Sequence, residues 1–72
     1  MDKINNFDKK IKFSVVTACF NARETIAETI LSVRNQDYPN YEHIIIDGGS
    51  LDGTLDIIKK YAASDSRISF VS

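Results

Sequence analysis

Tryptophan is absent from this 72-residue chain, and cysteine, histidine, proline and methionine occur once each. A single cysteine, Cys19, excludes an intrachain disulfide, and with His43 as the only imidazole no Cys/His cluster of zinc-binding spacing can be assembled. Neither sign of charge dominates: nine basic residues face ten acidic ones, for a net charge of −1. That balance leaves no electrostatic footprint for nucleic acid. It also leaves no polybasic block for an anionic membrane; Lys9, Lys10 and Lys12 read as a solvated edge ahead of the first strand. Apolar runs last only a few residues, far short of the roughly 20 that cross a bilayer. Met1 to Lys10 is polar and lacks the apolar stretch of a signal peptide. The expected location is cytoplasmic, with peripheral contact at the inner face of a membrane left open.

The length allows one small domain. A chain of this size buries roughly 60% of the surface it exposes when unfolded, so its core is marginal. The hydrophobic fraction, 43%, is that of an ordinary globular protein.

Residues 1–11 read as a polar arm, and residues 12–72 as the structured part. Phe13 to Phe20 is rich in β-branched and aromatic residues and predicts a strand, apolar enough to be covered on both faces. Asn21 is a plausible N-cap for the segment that follows. From Ala22 to about Gln36 the period changes: Ile26, Ile30 and Val33 recur at helical spacing, flanked by Ala27 and Leu31. Glu24 and Glu28 near its start and Arg34 near its end suit the helix dipole. Asp37 to Tyr41, with Pro39 and Asn40, predicts a loop. Glu42 to Asp47 is a second strand. A second helix, capped by Ser50 or Asp52, carries Leu55, Ile57, Ile58 and Tyr61 to about Ala63. Ser64 to Ser66 is a turn, and Ile68 to Val71 a third strand. The order is β-α-β-α-β, which predicts an α/β fold with a parallel, Rossmann-like sheet. Ending on a third strand, the chain reads as the front piece of a larger domain.

The densest information lies in Asp47-Gly48-Gly49-Ser50-Leu51-Asp52-Gly53-Thr54. A strand that ends in Asp delivers a carboxylate to the carboxyl edge of the sheet, where open α/β folds bind ligands. Such a carboxylate can accept hydrogen bonds from a base N–H or from ribose hydroxyls. The glycines after it let a ligand approach the backbone. Ser50, Asp52, Gly53 and Thr54 are explained by the strand-to-helix turn and its cap alone. Thr17, Ala18 and Asn21, at the end of the first strand, would lie beside Asp47, either as part of one cleft or as a simple β-former and cap. Other phosphate or metal motifs fail. No Lys follows the glycines as a Walker loop requires, no Gly-x-Gly-x-x-Gly follows the first strand, and a calcium loop from Asp47 would place Gly49 and Leu51 at ligand positions. Cys19 reads as an inert buried thiol and His43 as structural.

Four segments resemble family 2 glycosyltransferases of the GT-A fold, in the family's order. They are Thr17-Ala18-Cys19-Phe20-Asn21, Ser32-Val33-Arg34-Asn35-Gln36, Tyr38-Pro39-Asn40-Tyr41-Glu42 and Ile46 to Thr54. The resemblance covers about Lys12 to Ser72 and implies the N-terminal, nucleotide-binding portion of such a domain. It implies a nucleoside-diphosphate-sugar donor, commonly a UDP-sugar, and a saccharide or lipid-linked acceptor in cell-surface polysaccharide synthesis. Thr17, Ala18, Phe20 and Asn21 would line the base and ribose, Asp47 would hydrogen-bond the base, and Gly48 and Gly49 would lie against it. The family often carries a second Asp where this chain has Gly48. The Mn²⁺ or Mg²⁺ of the full-length enzyme and its catalytic base would come from later residues, so no catalytic or metal residue is assigned here and these residues alone are expected to be inactive. Homo-oligomerisation stays open. Two alternatives remain: a receiver-like module with Asp47 as phospho-acceptor, and an inactive truncated remnant.

Overall fold

The computed structural model describes residues 12–38 and 40–72. The polar arm expected over residues 1–11, and Pro39 in the expected loop, lie outside the described residues.

The elements are β1 (Phe13–Cys19), α1 (Ile26–Arg34), β2 (Tyr41–Asp47), α2 (Thr54–Ser64) and β3 (Ile68–Val71). The strands form one parallel sheet in the order β1-β2-β3. Phe13 lies opposite Tyr41 and Cys19 opposite Asp47, so β1 and β2 end level with each other. The order and the parallel sheet are those expected from the change of hydrophobic period along the chain.

Alternation along β2 assigns its two faces. Tyr41, His43, Ile45 and Asp47 are buried, while Glu42, Ile44 and Ile46 are more exposed. Ile45 packs with Ile26 and Ile30 of α1, Ile58 of α2 and Ile68 of β3 in a single isoleucine core. Both helices therefore cover the same face of the sheet. Each fully buried isoleucine contributes about 1.5–3 kcal/mol relative to an exposed one. The opposite face carries Val16, Ala18, Ile46 and Val71, all exposed, and no described element covers it. The expectation of strands covered on both faces is therefore met on one face only.

Two local differences bear on the site. α1 begins at Ile26, four residues later than its periodicity suggests, because Ala22 to Thr25 form a separate turn in which the Ala22 carbonyl accepts from Thr25 N and Ile26 N. Asn21 is not a helix cap: it adopts φ 49°, in the left-handed region that Asn tolerates better than most residues. α2 is entered through Gly53 at φ 96°, a backbone conformation that favours glycine, and Ser50 and Asp52 stand before it rather than at the cap position.

Below the sheet's other end, Asp65 closes the α2–β3 turn. Its carboxylate accepts from Arg67 Nε at 3.0 Å and Nη2 at 3.1 Å, and the Arg67 guanidinium lies 4.5 Å from the Tyr41 ring centroid.

Candidate functional site

The carboxyl ends of β1 and β2 meet in one rim. The sheet ladder extends one step past the strands, with Gly48 N donating to the Cys19 carbonyl at 2.9 Å. Beyond it the two strand-to-helix loops are joined by side chains. Asn21 N donates to Ser50 Oγ at 2.7 Å, and Leu51 N donates to Asn21 Oδ1 at 2.9 Å. Ala22 N donates to Thr54 Oγ1 at 2.9 Å, and Arg23 N to Asp52 Oδ2 at 3.1 Å. Thr54 returns its hydroxyl proton and its backbone N–H to Asp52 Oδ1. Ser50 and Thr54 were explained from sequence by the turn and cap. Their larger task is to hold the two loops together, and the only sequence signal for it is the Ser-x-Asp-Gly-Thr spacing itself.

Asp47 is placed at the rim by the end of β2, yet its side chain points toward the helix layer and the residue is 3% exposed. Its Oδ2 accepts from Gly49 N at 3.3 Å and Ser50 N at 3.1 Å. Its Oδ1 accepts from Ser50 Oγ, and the Cys19 thiol lies 3.8 Å away. The hydrogen bond from the Ser50 hydroxyl, more than any other cause, holds the carboxyl below its ordinary pKa; desolvation opposes it, and the two backbone donors add to it. This differs from the open, ligand-facing carboxylate expected from sequence. The physical reason is local: in Asp-Gly-Gly-Ser the carboxylate closes its own turn onto the N–H groups two and three residues ahead. Cys19 shares the environment in reverse. Burial and the neighbouring Asp47 charge raise its thiol pKa, as suits an unreactive thiol.

The other expected site residues divide between the two faces. Thr17 is half-buried on the helix side, its Oγ1 2.8 Å from Nε2 of the buried His43. Burial lowers the His43 pKa, which favours the neutral ring. Ala18, Phe20, Asn21, Gly48 and Gly49 are exposed at the rim. Phe20 is 62% exposed, and a Cβ at Gly48 would sit 3.6 Å from its Cδ1 and 3.5 Å from the Cys19 carbonyl oxygen. The exposed aromatic ring and the side-chain-free backbone thus lie side by side at the rim, next to Ala18 and Ile46, which are paired across the strands. Such a surface can stack a flat heteroaromatic ring and offer it backbone groups.

Among the described residues, no three His, Cys, Asp or Glu side chains come together to hold a metal ion. No described helix is long and apolar enough to cross a membrane.

A three-stranded parallel sheet with both helices on one face and two joined strand-to-helix loops at its carboxyl edge is an open α/β architecture. The chain belongs to glycosyl transferase family 2, whose family model matches residues 14–72. It is 47% identical over 58 residues to TuaG of Bacillus subtilis (strain 168), named as a teichuronic acid biosynthesis glycosyltransferase, covering 81% of this chain and 23% of that protein. It is 46% identical over 55 residues to the Escherichia coli UDP-Glc:alpha-D-GlcNAc-diphosphoundecaprenol beta-1,3-glucosyltransferase WfaP, covering 76% of this chain and 21% of the relative. A poly-beta-1,6-N-acetyl-D-glucosamine synthase of Staphylococcus epidermidis is 44% identical over 48 residues, covering 67% of this chain and 12% of the synthase. The chain therefore spans less than a quarter of each of these relatives. The parallel β-α-β-α-β sheet is consistent with the N-terminal, Rossmann-like part of a GT-A domain of that family.

Proposed function

We propose that these residues form the nucleoside-binding part of a glycosyltransferase that moves a sugar from a nucleoside diphosphate to an acceptor hydroxyl. The observation that carries this reading is the exposed Phe20 ring beside the bare Gly48 backbone at the carboxyl edge of the sheet. Thr17, Ala18, Phe20, Asn21, Asp47, Gly48 and Gly49 frame the site. A uridine diphosphate sugar is the favoured donor, since one relative is named for UDP-Glc. The acceptor is a saccharide or a lipid-linked saccharide of a cell-surface polymer, in keeping with relatives named for teichuronic acid biosynthesis and for a diphosphoundecaprenol acceptor. The protein works in the cytoplasm, at the inner face of the membrane where such an acceptor is presented.

The residues of this chain bind and orient; they do not carry the transfer. A divalent cation, Mn²⁺ or Mg²⁺, on the donor diphosphate and a base for the acceptor hydroxyl would both be supplied by residues outside this chain, so these residues alone are inactive. The receiver-like alternative gains no support, because a phospho-acceptor needs an accessible carboxylate and Asp47 is enclosed by its own turn.

The test is backbone-amide protection in the full-length protein on addition of UDP, GDP or dTDP. Protection at Ala18, Phe20 and Gly48 with one of the three is the expected result. No change with any of them at millimolar concentration would overturn the proposal.

A further inference from the structure

At the amino end of the sheet, away from the carboxyl rim, the described residues leave an apolar groove of about 330 Å³. Phe13 and Val15 of β1, Val33 near the end of α1, Gln36 and Tyr38 of the following loop, and Tyr41 of β2 line it. Phe13 and Tyr41 are paired across the strands, on the same face as the isoleucine core. Ile26 and Ile30 are fully buried earlier on α1, but Val33, one turn on, is only half-buried. The core therefore stops short of this end. Phe13 stacks on Tyr38 with ring centroids 4.2 Å apart, yet it remains 46% exposed. Apolar walls of this kind gain free energy from an apolar side chain that displaces their water.

The nearest source of such a side chain is the chain itself. β1 begins at Phe13, so residues 1–11, outside the described residues, join the sheet at the groove's own wall. They contain one aromatic residue, Phe7, set among Asn5, Asn6, Asp8, Lys9 and Lys10. Phe7 precedes Phe13 by six residues, and six residues reach roughly 20 Å when extended. A tether this short gives an effective concentration on the order of millimolar, which favours the arm over an untethered occupant. We propose that the N-terminal arm folds back on the amino end of the sheet and seats Phe7 in this groove, against Phe13, Val33 and Tyr38. The arm then straps β1 to the end of α1, with its lysines and aspartates left in water. It acts at the end of the sheet opposite the candidate site and is independent of the nucleoside-site reading.

The test is disulfide trapping and amide exchange on the full-length protein. Gln36 is exposed beside the groove, and Lys59 is exposed on α2, outside it. Under a mild oxidant, Phe7→Cys with Gln36→Cys should close within one chain at least about tenfold faster than Phe7→Cys with Lys59→Cys, as the local concentration of the arm requires. The Phe7→Cys single variant measures any pairing with Cys19. Phe13 N donates to the Asn40 carbonyl at 3.1 Å, so this amide reports on the groove. Phe7→Ala should speed its exchange about tenfold, the scale of an aromatic side chain lost from an apolar site. Phe7→Leu, which keeps an apolar side chain, should restore most of the protection, and Asn5→Ala should change it less than about twofold. Equal closure rates for the Gln36 and Lys59 pairs would overturn the proposal. A Gln36 pair that closes only between chains would also overturn it, and would make a second copy the occupant. Exchange at Phe13 that is the same in Phe7→Ala and the parent would overturn it too, and would leave the groove to another part of the full-length protein.

Discussion

Replacing Thr54 by Val isolates the hydroxyl that ties the two loops together. Thr54 is 0% exposed, and its Oγ1 accepts from Ala22 N at 2.9 Å while donating to Asp52 Oδ1. Valine keeps the volume and branching and deletes both hydrogen bonds. A hydrogen bond to a charged group is worth about 1.5–3 kcal/mol, and an orphaned buried donor costs about 1–3 kcal/mol. Asp52 is only half-buried and retains the N–H groups of Arg23 and Thr54, so water and those donors recover part of its loss. The expected destabilisation is therefore near the low end of the sum, about 2 kcal/mol. Thr54→Ser keeps the hydroxyl and deletes a buried methyl, which costs about 1 kcal/mol. The assay is amide exchange at Ala22, supported by urea unfolding with an unchanged m value. A 2 kcal/mol loss speeds exchange through the same opening about thirtyfold. Were Ala22 to exchange no faster in Thr54→Val than in Thr54→Ser, Thr54 would be a packing residue and the hydroxyl clasp would be wrong.

Other perturbations probe the remaining groups. His43 is buried with a lowered pKa, so the unfolded chain binds more protons than the folded one between the two pKa values. Stability should therefore be full above the unfolded value of about 6.5 and fall as pH drops below it; urea midpoints from pH 7.5 to 5 should show that slope, and His43→Gln should lack it. Asp65 is held below the usual carboxylate range chiefly by hydrogen bonds from Arg67. Its contribution is present above about pH 3.9 and lost as pH falls through the lower folded value, and Arg67→Lys, which cannot form the two-pronged contact, should shrink that acid-range loss in a pH titration of stability. Cys19, with its thiol pKa raised by burial and Asp47, should alkylate with iodoacetamide at pH 8 more slowly than a free thiol, and Asp47→Asn should speed it; equal rates in both would contradict the placement.

The sequence makes the sheet and the order of its elements legible because each element is long enough for its own period to show. Ile26, Ile30 and Val33 mark α1, and the β-branched run before Asp47 marks β2. The start of α1 is not legible. Asn21 has a cap's chemistry, but its side chain is used by Leu51, thirty positions away, and no local rule reads such a contact. The family follows from motif order. The direction of Asp47 does not, because strand alternation gives it the buried face, whereas a strand-end carboxylate read alone suggests exposure. The uncovered sheet face is hidden from sequence for a similar reason: Val16, Ile46 and Val71 are as apolar as core residues, and apolar character alone does not show which side a helix will take.

The clasp between the loops also bears on how fast, and at what entropic cost, a ligand could be held. Leu51 is 92% exposed, yet its amide is fixed to Asn21, so even the outermost residue of the rim has a tethered backbone. With Ser50, Asp52 and Thr54 each bonded to the β1–α1 loop, neither loop can swing without breaking hydrogen bonds to the other. Binding at this edge then demands little ordering of the backbone. Association should follow a single exponential whose rate rises linearly with nucleotide concentration, without the plateau that a slow closing step imposes.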